Sequence, residues 1–121
     1  MDLKLKRAYD PPSPDDGCRI LVDRLWPRGL RKGEARIDCW LKEIAPSTAL
    51  RKWFGHDPAR WEEFRRRYFA ELDGRAPVVE ELRKRTKRGL VTLVYGAKDE
   101  TCNNAVALKD YLRENPTQRA T

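Results

Sequence analysis

Two short stretches of this 121-residue chain concentrate the side chains that could bind or transform an anion. The first, DRLWPRG over residues 23–29, places an acid, two arginines and a tryptophan beside a proline and a glycine. The second, YGAKDETCNN over residues 95–104, holds a lysine, two acids and two adjacent asparagines. Arginine forms paired hydrogen bonds with phosphate and carboxylate groups. We therefore expect a site for a small anionic ligand, either a phosphate- or carboxylate-bearing metabolite or a nucleotide.

The cations and amides of these stretches would together bind the anion. Arg24 and Arg28 supply positive charge from the first stretch, and Lys98 supplies it from the second. Asn103 and Asn104 add amide donors at the predicted start of a helix, where unpaired backbone N–H groups carry a partial positive charge. The helix start and the arginines would form one cradle.

Two carboxylates and one tryptophan complete the candidate site. Asp23 or Asp99 would act as a catalytic general base or would orient the ligand, depending on burial. Trp26, in a loop between two arginines, would form a wall of the site. A structural interpretation is also open, in which Asp99 or Thr101 caps the helix and the arginines pair with Asp23 and Asp38.

Three apolar segments are predicted to be the β-strands that position these stretches. Residues 3–9, LKLKRAY, alternate apolar and basic side chains, which is typical of a half-buried edge strand. Residues 19–25 and 90–96 contain continuous apolar runs, which are typical of central strands covered on both faces. Each candidate stretch lies where one of these central strands ends.

The remaining segments have the apolar spacing of amphipathic helices. We predict five helices, over residues 37–44, 45–55, 56–74, 77–89 and 101–112. The first rests on four apolar residues at helical spacing: Ile37, Trp40, Leu41 and Ile44. In the second, Ser47 is the predicted N-cap and Gly55 the stop; in the third, Asp57 caps and Pro58 occupies the first turn.

Strands that alternate with helices and are apolar on both faces imply an α/β fold, with a small, mainly parallel sheet flanked by helices. A chain of this length is expected to form a single compact domain over residues 1–121, with residues 115–121 as a loose tail. In such sheets, ligands bind beyond the carboxyl ends of the strands. If the two central strands are parallel neighbours, the two candidate stretches lie side by side there.

The net charge of +7 and the isoelectric point near 9.6 favour an anionic partner. Much of the charge lies in residues 60–75, where acids precede arginines by four residues, as in a solvated helix with internal ion pairs. Nucleic-acid binding is therefore the alternative function. Its phosphate-tracking face would contain six cations: Arg28, Arg31, Lys32, Arg65, Arg66 and Arg67.

No cofactor and no metal site is predicted, because the sequence has no glycine-rich nucleotide loop and no ligand spacing typical of a metal centre. Three cysteines without a CxxC pair favour reduced thiols and a cytoplasmic location. No apolar run approaches membrane-spanning length. His56, the lone histidine, is interpreted as a loop residue beside a helix cap, with a role in acid–base chemistry as the alternative.

Long motifs of the chain resemble a known family. DRLWPRGLRK, WLKEIAPSTALRKWFGHDPARWEEFRRRY and LVYGAKDETCNNAVALKDYL are similar to the YeaO-like family of bacterial and archaeal domains of unknown function. The resemblance covers nearly the whole chain. It implies a pocket formed after the second strand and at the start of the last helix, and it names no ligand.

The family motif adds Ser47 and Arg51 to the candidate ligand-binding residues, with Arg51 holding the anion beside the other arginines. Its further positions in this chain are Pro27, Gly29, Trp40, Ala45, Pro46, Leu50 and Phe54. Many members have a histidine where this chain has Cys102, so the resemblance implies no mechanism that needs a base at that position. Three functions stay open: an anion-binding pocket, catalytic or not, a nucleic-acid-binding module, and a purely structural corner at residues 23–29.

Overall fold

The computed structural model describes residues 3–114, in which four β-strands form one parallel sheet. The strands are β1 (Leu3–Arg7), β2 (Cys18–Leu21), β3 (Cys39–Trp40) and β4 (Val91–Tyr95). They lie in the order β1-β4-β2-β3, and Ile20 pairs with Leu93 in the centre. The α/β class, the two central strands and the edge position of the first strand are therefore confirmed.

The helices of the described residues are α1 (Lys32–Ala35), α2 (Thr48–Phe54), α3 (Trp61–Asp73), α4 (Ala76–Arg88) and α5 (Asn104–Glu114). Helices α2 to α5 confirm four of the predicted helices. Ser47 caps α2 as expected, since its side chain accepts the Leu50 N–H, and α2 ends at a left-handed Gly55. Asp57 caps a short 3-10 turn, Pro58–Arg60, that leads into α3.

The two faces of the sheet are covered by different kinds of structure, because successive strand residues point to opposite faces. On one face, helices α2 to α5 pack around a core that includes Ile20 and Leu93. On the other face, two tryptophans of residues 24–40 pack on Leu21 and Val94. The central strands are thus covered on both sides, by helices on one and by a long connecting segment on the other.

The helix predicted over residues 37–44 is wrong, because this segment contains β3 and a 3-10 turn. Its four apolar residues do not share one side. Ile37 and Trp40 pack on the face that the connecting segment covers. Leu41 and Ile44 instead join the core beneath the helices. A helix would have turned all four toward one side, so pairing with β2 determines the conformation here.

A buried ion-pair cluster covers the amino-terminal half of the second face. Asp16 and Arg19 are 1% and 3% exposed, and Arg19 Nη1 lies 2.6 Å from Asp16 Oδ2. Lys6 Nζ lies 3.2 Å from the same oxygen, and Thr92 Oγ1 donates to the Asp16 carbonyl oxygen at 2.7 Å. Burial acts to raise the pKa of Asp16, but hydrogen bonds from Ser13, Lys6 and Arg19 hold it below its ordinary value.

Gly17 holds the loop that carries this cluster against the start of β4. Its φ of 66° and ψ of −139° fall in a region that is essentially restricted to glycine. A Cβ at Gly17 would overlap the carbonyl oxygen of Leu90 and lie 3.0 Å from the Leu90 Cβ. That carbonyl oxygen accepts the N–H of Cys18 at 3.0 Å. The close approach therefore requires a residue without a side chain.

Residues 115–121, predicted to be a loose tail, lie outside the described residues. Among residues 3–114, no helix is both long enough and apolar enough to span a bilayer. The long helices α3 and α4 have 13 residues each, whereas a spanning helix needs roughly 20 apolar residues.

Candidate ligand-binding site

The two candidate stretches meet at the carboxyl ends of β2 and β4. Asp23 accepts the backbone N–H of Gly96 at Oδ2, with a separation of 2.8 Å. Its Oδ1 accepts a hydrogen bond from Asn104 Nδ2 at 3.1 Å. The same Asn104 amide donates to the Val22 carbonyl oxygen at 3.0 Å. One carboxylate therefore joins the end of β2 to the loop after β4 and to the start of α5.

Gly96 is the residue that lets this carboxylate come so close. A Cβ at this position would lie 3.1 Å from Asp23 Oδ2 and 3.8 Å from Pro27 Cβ. The first separation is tighter than an ordinary van der Waals contact of a Cβ atom. The group that approaches the Gly96 backbone is thus the Asp23 side chain.

A cavity of about 400 Å³ opens beside this junction. Small-molecule sites have volumes of roughly 300–1,000 Å³. Seven of the predicted site residues line it: Asp23, Arg24, Trp26, Arg28, Arg51, Asn103 and Asn104. It contains both asparagines and three arginines. Within residues 3–114, no three or more His, Cys, Asp or Glu side chains are grouped as metal ligands would be.

The three arginines of the cavity differ in their partners. Arg24 is held in place, because its Nε and Nη2 donate to the carbonyl oxygens of Pro46 and Ala45 at 3.3 and 3.2 Å. Arg28 and Arg51 are exposed, and in the described part of the chain neither guanidinium makes a hydrogen bond or a close ion pair. Two cations without close partners therefore stand at the mouth of the cavity.

Aromatic side chains form the apolar walls. Trp26 donates from Nε1 to the Leu30 carbonyl oxygen at 2.6 Å and packs edge-on against Trp40, with 5.5 Å between ring centroids. Phe54 and Phe64 stack with 4.3 Å between centroids. Trp26, Phe54 and Phe64 all line the cavity. The cavity therefore combines flat apolar surfaces with a few charged and amide groups.

Ser47 does not line the cavity and belongs to a loop that α3 holds in place. Its Oγ donates to Glu71 Oε2 at 2.6 Å, and its N–H donates to Glu71 Oε1 at 2.8 Å. The Tyr68 hydroxyl donates to the Ile44 carbonyl oxygen at 2.6 Å. These contacts fix residues 44–47 and, with them, the start of α2.

Asp99 and Lys98 also lie outside the cavity lining. Asp99 Oδ1 accepts the backbone N–H groups of Thr101 and Cys102 at 2.8 and 3.0 Å, and so caps the turn before α5. Hydrogen bonds from Cys102 and Thr101 hold the pKa of Asp99 below its ordinary value. Lys98 is exposed to solvent. The contacts of Asp99 are those of the structural alternative, in which it orders the loop.

Asp23 has the opposite electrostatic environment. Burial raises the pKa of its carboxyl above the ordinary value, although hydrogen bonds from Gly96 and Asn104 act against this rise. Electrostatic interactions with His56 and Arg51 also act to lower this pKa. The Asp23 carboxyl therefore takes up a proton at a higher pH than an aspartate in solvent.

His56 and Tyr9 line the cavity as well, although the sequence assigned neither to the site. His56 has φ 58° and follows Gly55 at φ 53°, so two consecutive left-handed residues end α2. In the sequence, the indication of this position is that His56 directly follows Gly55, the glycine predicted to end the helix. Tyr9 donates from its hydroxyl to the Arg28 carbonyl oxygen at 2.8 Å. Tyr9 follows β1, and it reaches the cavity because β1 pairs with β4. No local motif indicates that pairing.

The three consecutive arginines of α3, proposed above as part of a phosphate-tracking face, are paired with carboxylates. Arg65 Nη2 lies 3.1 Å from Glu114 Oε2. Arg66 and Arg67 share Glu63, at 2.5 and 2.7 Å from its Oε2. This surface therefore alternates positive and negative groups and is not a continuous array of unpaired cations.

Comparison with known proteins gives one family and several relatives. A family model described as "Inactive DUF488-N3 subclade" matches residues 2–121. The chain is 46% identical over 113 residues to "Uncharacterized protein YeaO" of Escherichia coli K12, covering 93% of this chain and 98% of that protein. It is 43% identical over 110 residues to "Uncharacterized protein Rv3073c" of Mycobacterium tuberculosis H37Rv, covering 91% and 92%. No solved structure gives a significant match.

Proposed function

Since this chain belongs to the YeaO-like family, in the DUF488-N3 subclade described as inactive, we propose that its strand-end cavity binds a small anionic ligand. The ligand is a phosphate- or carboxylate-bearing metabolite or a nucleotide. Arg28 and Arg51 contact its anionic group, and Asp23 and Asn104 contact another part of it. The proposed activity is binding rather than chemical conversion.

The pair of unpartnered arginines at the cavity mouth is the observation that carries this proposal. Elsewhere on the surface, arginines such as Arg66 and Arg67 lie against a carboxylate. Arg28 and Arg51 have no such group within hydrogen-bonding distance among residues 3–114. A free guanidinium can form two parallel hydrogen bonds with a phosphate or carboxylate. Each charge-assisted hydrogen bond contributes about 1.5–3 kcal/mol.

The backbone that carries these arginines supports the proposal. Arg51 lies on α2, whose start is fixed through the contacts of Ser47 with Glu71. Arg28 lies in a loop, and its own backbone carbonyl oxygen accepts a hydrogen bond from the Tyr9 hydroxyl. Binding therefore needs to order two side chains and no long segment of backbone, which limits its entropic cost to about 0.5–1.5 kcal/mol for each side chain.

A thermal-shift screen followed by isothermal titration calorimetry tests the proposal. The screen compares inorganic phosphate, sulfate, sugar phosphates, nucleotides and carboxylates. Arg51→Gln is expected to weaken the binding of a hit by about 10-fold or more, because it removes a charge-assisted hydrogen bond. Lys52→Gln is the matched control, since it removes one positive charge from an exposed neighbour on α2 that does not line the cavity.

Equal weakening by both variants would mean that general charge, and not the cavity, is responsible. A hit that survives Arg51→Gln and Arg28→Gln with unchanged affinity would contradict the proposal. Retention of nucleic acid that weakens steeply with added salt, but is insensitive to both cavity variants, would favour the nucleic-acid alternative instead.

A further inference from the structure

We propose that the ligand of this cavity is bipolar, with a nitrogen hydrogen-bond donor that faces the Asp23 carboxylate at the inner end and an anionic group that contacts Arg28 and Arg51 at the mouth. This inference rests on the proposed function and adds the chemistry of the ligand's second end. The ligand class is an anion joined through a flat apolar body to an amino, amidine or ring N–H group.

The inner end of the cavity offers hydrogen-bond acceptors. Each oxygen of an ionised carboxylate accepts about two hydrogen bonds. Each Asp23 oxygen receives one, from Gly96 at Oδ2 and from Asn104 at Oδ1. Within the described residues, one acceptor position on each oxygen is therefore open. A ligand group that donates a hydrogen bond matches this surface.

The Asn104 amide extends the acceptor surface. Its Nδ2 donates to the Val22 carbonyl oxygen and to Asp23 Oδ1. The opposite amide orientation would point its oxygen at these two oxygens, so the neighbours determine which atom is which. The Asn104 Oδ1 receives no hydrogen bond from residues 3–114. A ligand N–H group at Asp23 thus finds a second acceptor beside it.

Burial separates the inner end of the cavity from its mouth. Asp23 is partly buried, and burial is the largest influence on its pKa. Phe64, which lines the same cavity, is 2% exposed. Arg28, Arg51 and His56 are all exposed. Arg24 is also partly buried, but its guanidinium is engaged by the Pro46 and Ala45 carbonyl oxygens. The Asp23 carboxylate and the Phe64 ring are therefore more buried than the two arginines without partners, Arg28 and Arg51.

Charge determines the orientation in which the ligand binds. An anionic group at the inner end would approach the Asp23 carboxylate, and like charges repel strongly in a partly buried site. An N–H donor at the same position gains a charge-assisted hydrogen bond. At the mouth the preference is reversed, because Arg28 and Arg51 only donate. The two ends of the cavity thus select opposite ends of one molecule.

The walls between the two ends suit a flat body. Two aromatic residues, Trp26 and Phe54, are part of the cavity lining. Aromatic rings pack well on other flat rings in offset or edge-on arrangements. A planar linker between donor and anion therefore fills the middle of the cavity without leaving apolar surface in water.

Two matched pairs of probes test the inference by calorimetry at neutral pH. The short pair is 4-aminophenyl phosphate and phenyl phosphate. The long pair is adenosine 5′-monophosphate and purine riboside 5′-monophosphate. Within each pair the two molecules differ only by an amino group. Inorganic phosphate serves as the anion without a body.

At least one amino-bearing probe is expected to bind about 10-fold more tightly than its partner, which corresponds to one additional hydrogen bond to a charged group. Whichever pair shows the difference identifies the distance between the donor and the anion. Asp23→Asn is expected to reduce the difference to about two-fold or less, whereas Asp15→Asn, an exposed acid outside the cavity, is expected to preserve it.

A second variant keeps the test valid if Asp23→Asn does not fold. Asn104→Ala removes the neighbouring acceptor, while Asn103 still caps α5 through its contact with the Val106 N–H at 2.9 Å. It is expected to lower the preference for the amino-bearing probe by about 3-fold or more. Circular dichroism establishes that each variant is folded before titration.

The outcomes separate this inference from the proposed function. If both members of each pair bind equally well and Arg51→Gln weakens them all, the anion site stands and the bipolar ligand is wrong. If inorganic phosphate and all four probes fail to bind the wild-type protein, both proposals fail for ligands of this size. A preference that persists unchanged in Asp23→Asn and Asn104→Ala also overturns the inference.

Discussion

Replacing Gly17 by alanine is expected to destabilise the protein severely while leaving its cavity intact. The reason lies in two independent costs at one position. The φ of 66° and ψ of −139° are strained for any residue with a Cβ, and such strain costs about 1–3 kcal/mol. The added methyl group would also overlap the Leu90 carbonyl oxygen, which lies on the neighbouring backbone and cannot swing aside.

Relief of that overlap requires a backbone shift, and overpacking of this kind costs about 1–3 kcal/mol. The shift would also strain the hydrogen bond from the Cys18 N–H to the Leu90 carbonyl oxygen. The two costs together predict a loss of about 2–6 kcal/mol in the free energy of unfolding. Domains of this kind have a total stability of about 5–15 kcal/mol, so the loss is large.

Urea denaturation, followed by tryptophan fluorescence, measures this loss. Gly33→Ala is the matched control, because a Cβ at Gly33 meets no atom within 4 Å and its backbone lies within α1. The control is expected to leave the free energy of unfolding unchanged or to raise it by up to about 1 kcal/mol, because alanine favours a helical backbone more than glycine does. A loss of less than about 1 kcal/mol for Gly17→Ala would refute the steric argument.

Two further predictions concern the carboxyls of Asp23, which is partly buried, and Asp16, which is buried. Because the pKa of Asp23 is raised in the folded state, its contribution to stability is present below the ordinary carboxyl pKa of about 3.9 and is lost as pH rises through the folded value. The stability of Asp23→Asn relative to wild type should therefore increase as the pH of urea titrations rises above about 4; a difference that does not change with pH would contradict this. Asp16→Asn is expected to cost about 3–5 kcal/mol at pH 7, because Arg19 and Lys6 lose their shared carboxylate. Asp15→Asn, at an exposed neighbouring position, should cost less than about 0.5 kcal/mol in the same assay.

The long elements of the fold could be predicted because each carries its own signal. The apolar runs of β2 and β4, the capped start of α2 and the capped turn that leads into α3 are determined within a few residues. The two-residue strand β3 has no such signal. Trp40 and Leu41 face opposite sides of the sheet because the segment pairs with β2, and that pairing is a long-range property.

The residues of the candidate site likewise include some that the local sequence indicates and others that depend on long-range contacts. The sequence pointed to the region of Asp23 and Asn104, because polar residues at the ends of parallel strands converge. It did not indicate that Ser47 is engaged by Glu71, which lies 24 residues further along the chain. The inclusion of Tyr9 depends on the pairing of β1 with β4, and that of His56 on a left-handed turn. Residue types suggested the location, and strand register determined its members.

The loop of residues 44–47 has a kinetic consequence. It is held by Tyr68 and Glu71 from α3, and by Arg24 from the end of β2. Under the proposed function, a site whose backbone is held in this way needs no backbone closure before binding, so the association rate would be set by diffusion and by steering from Arg28 and Arg51. Differences in affinity among related ligands then arise from how long each stays. Residence time, rather than the speed of capture, is the quantity on which selection among cellular anions would act in this protein.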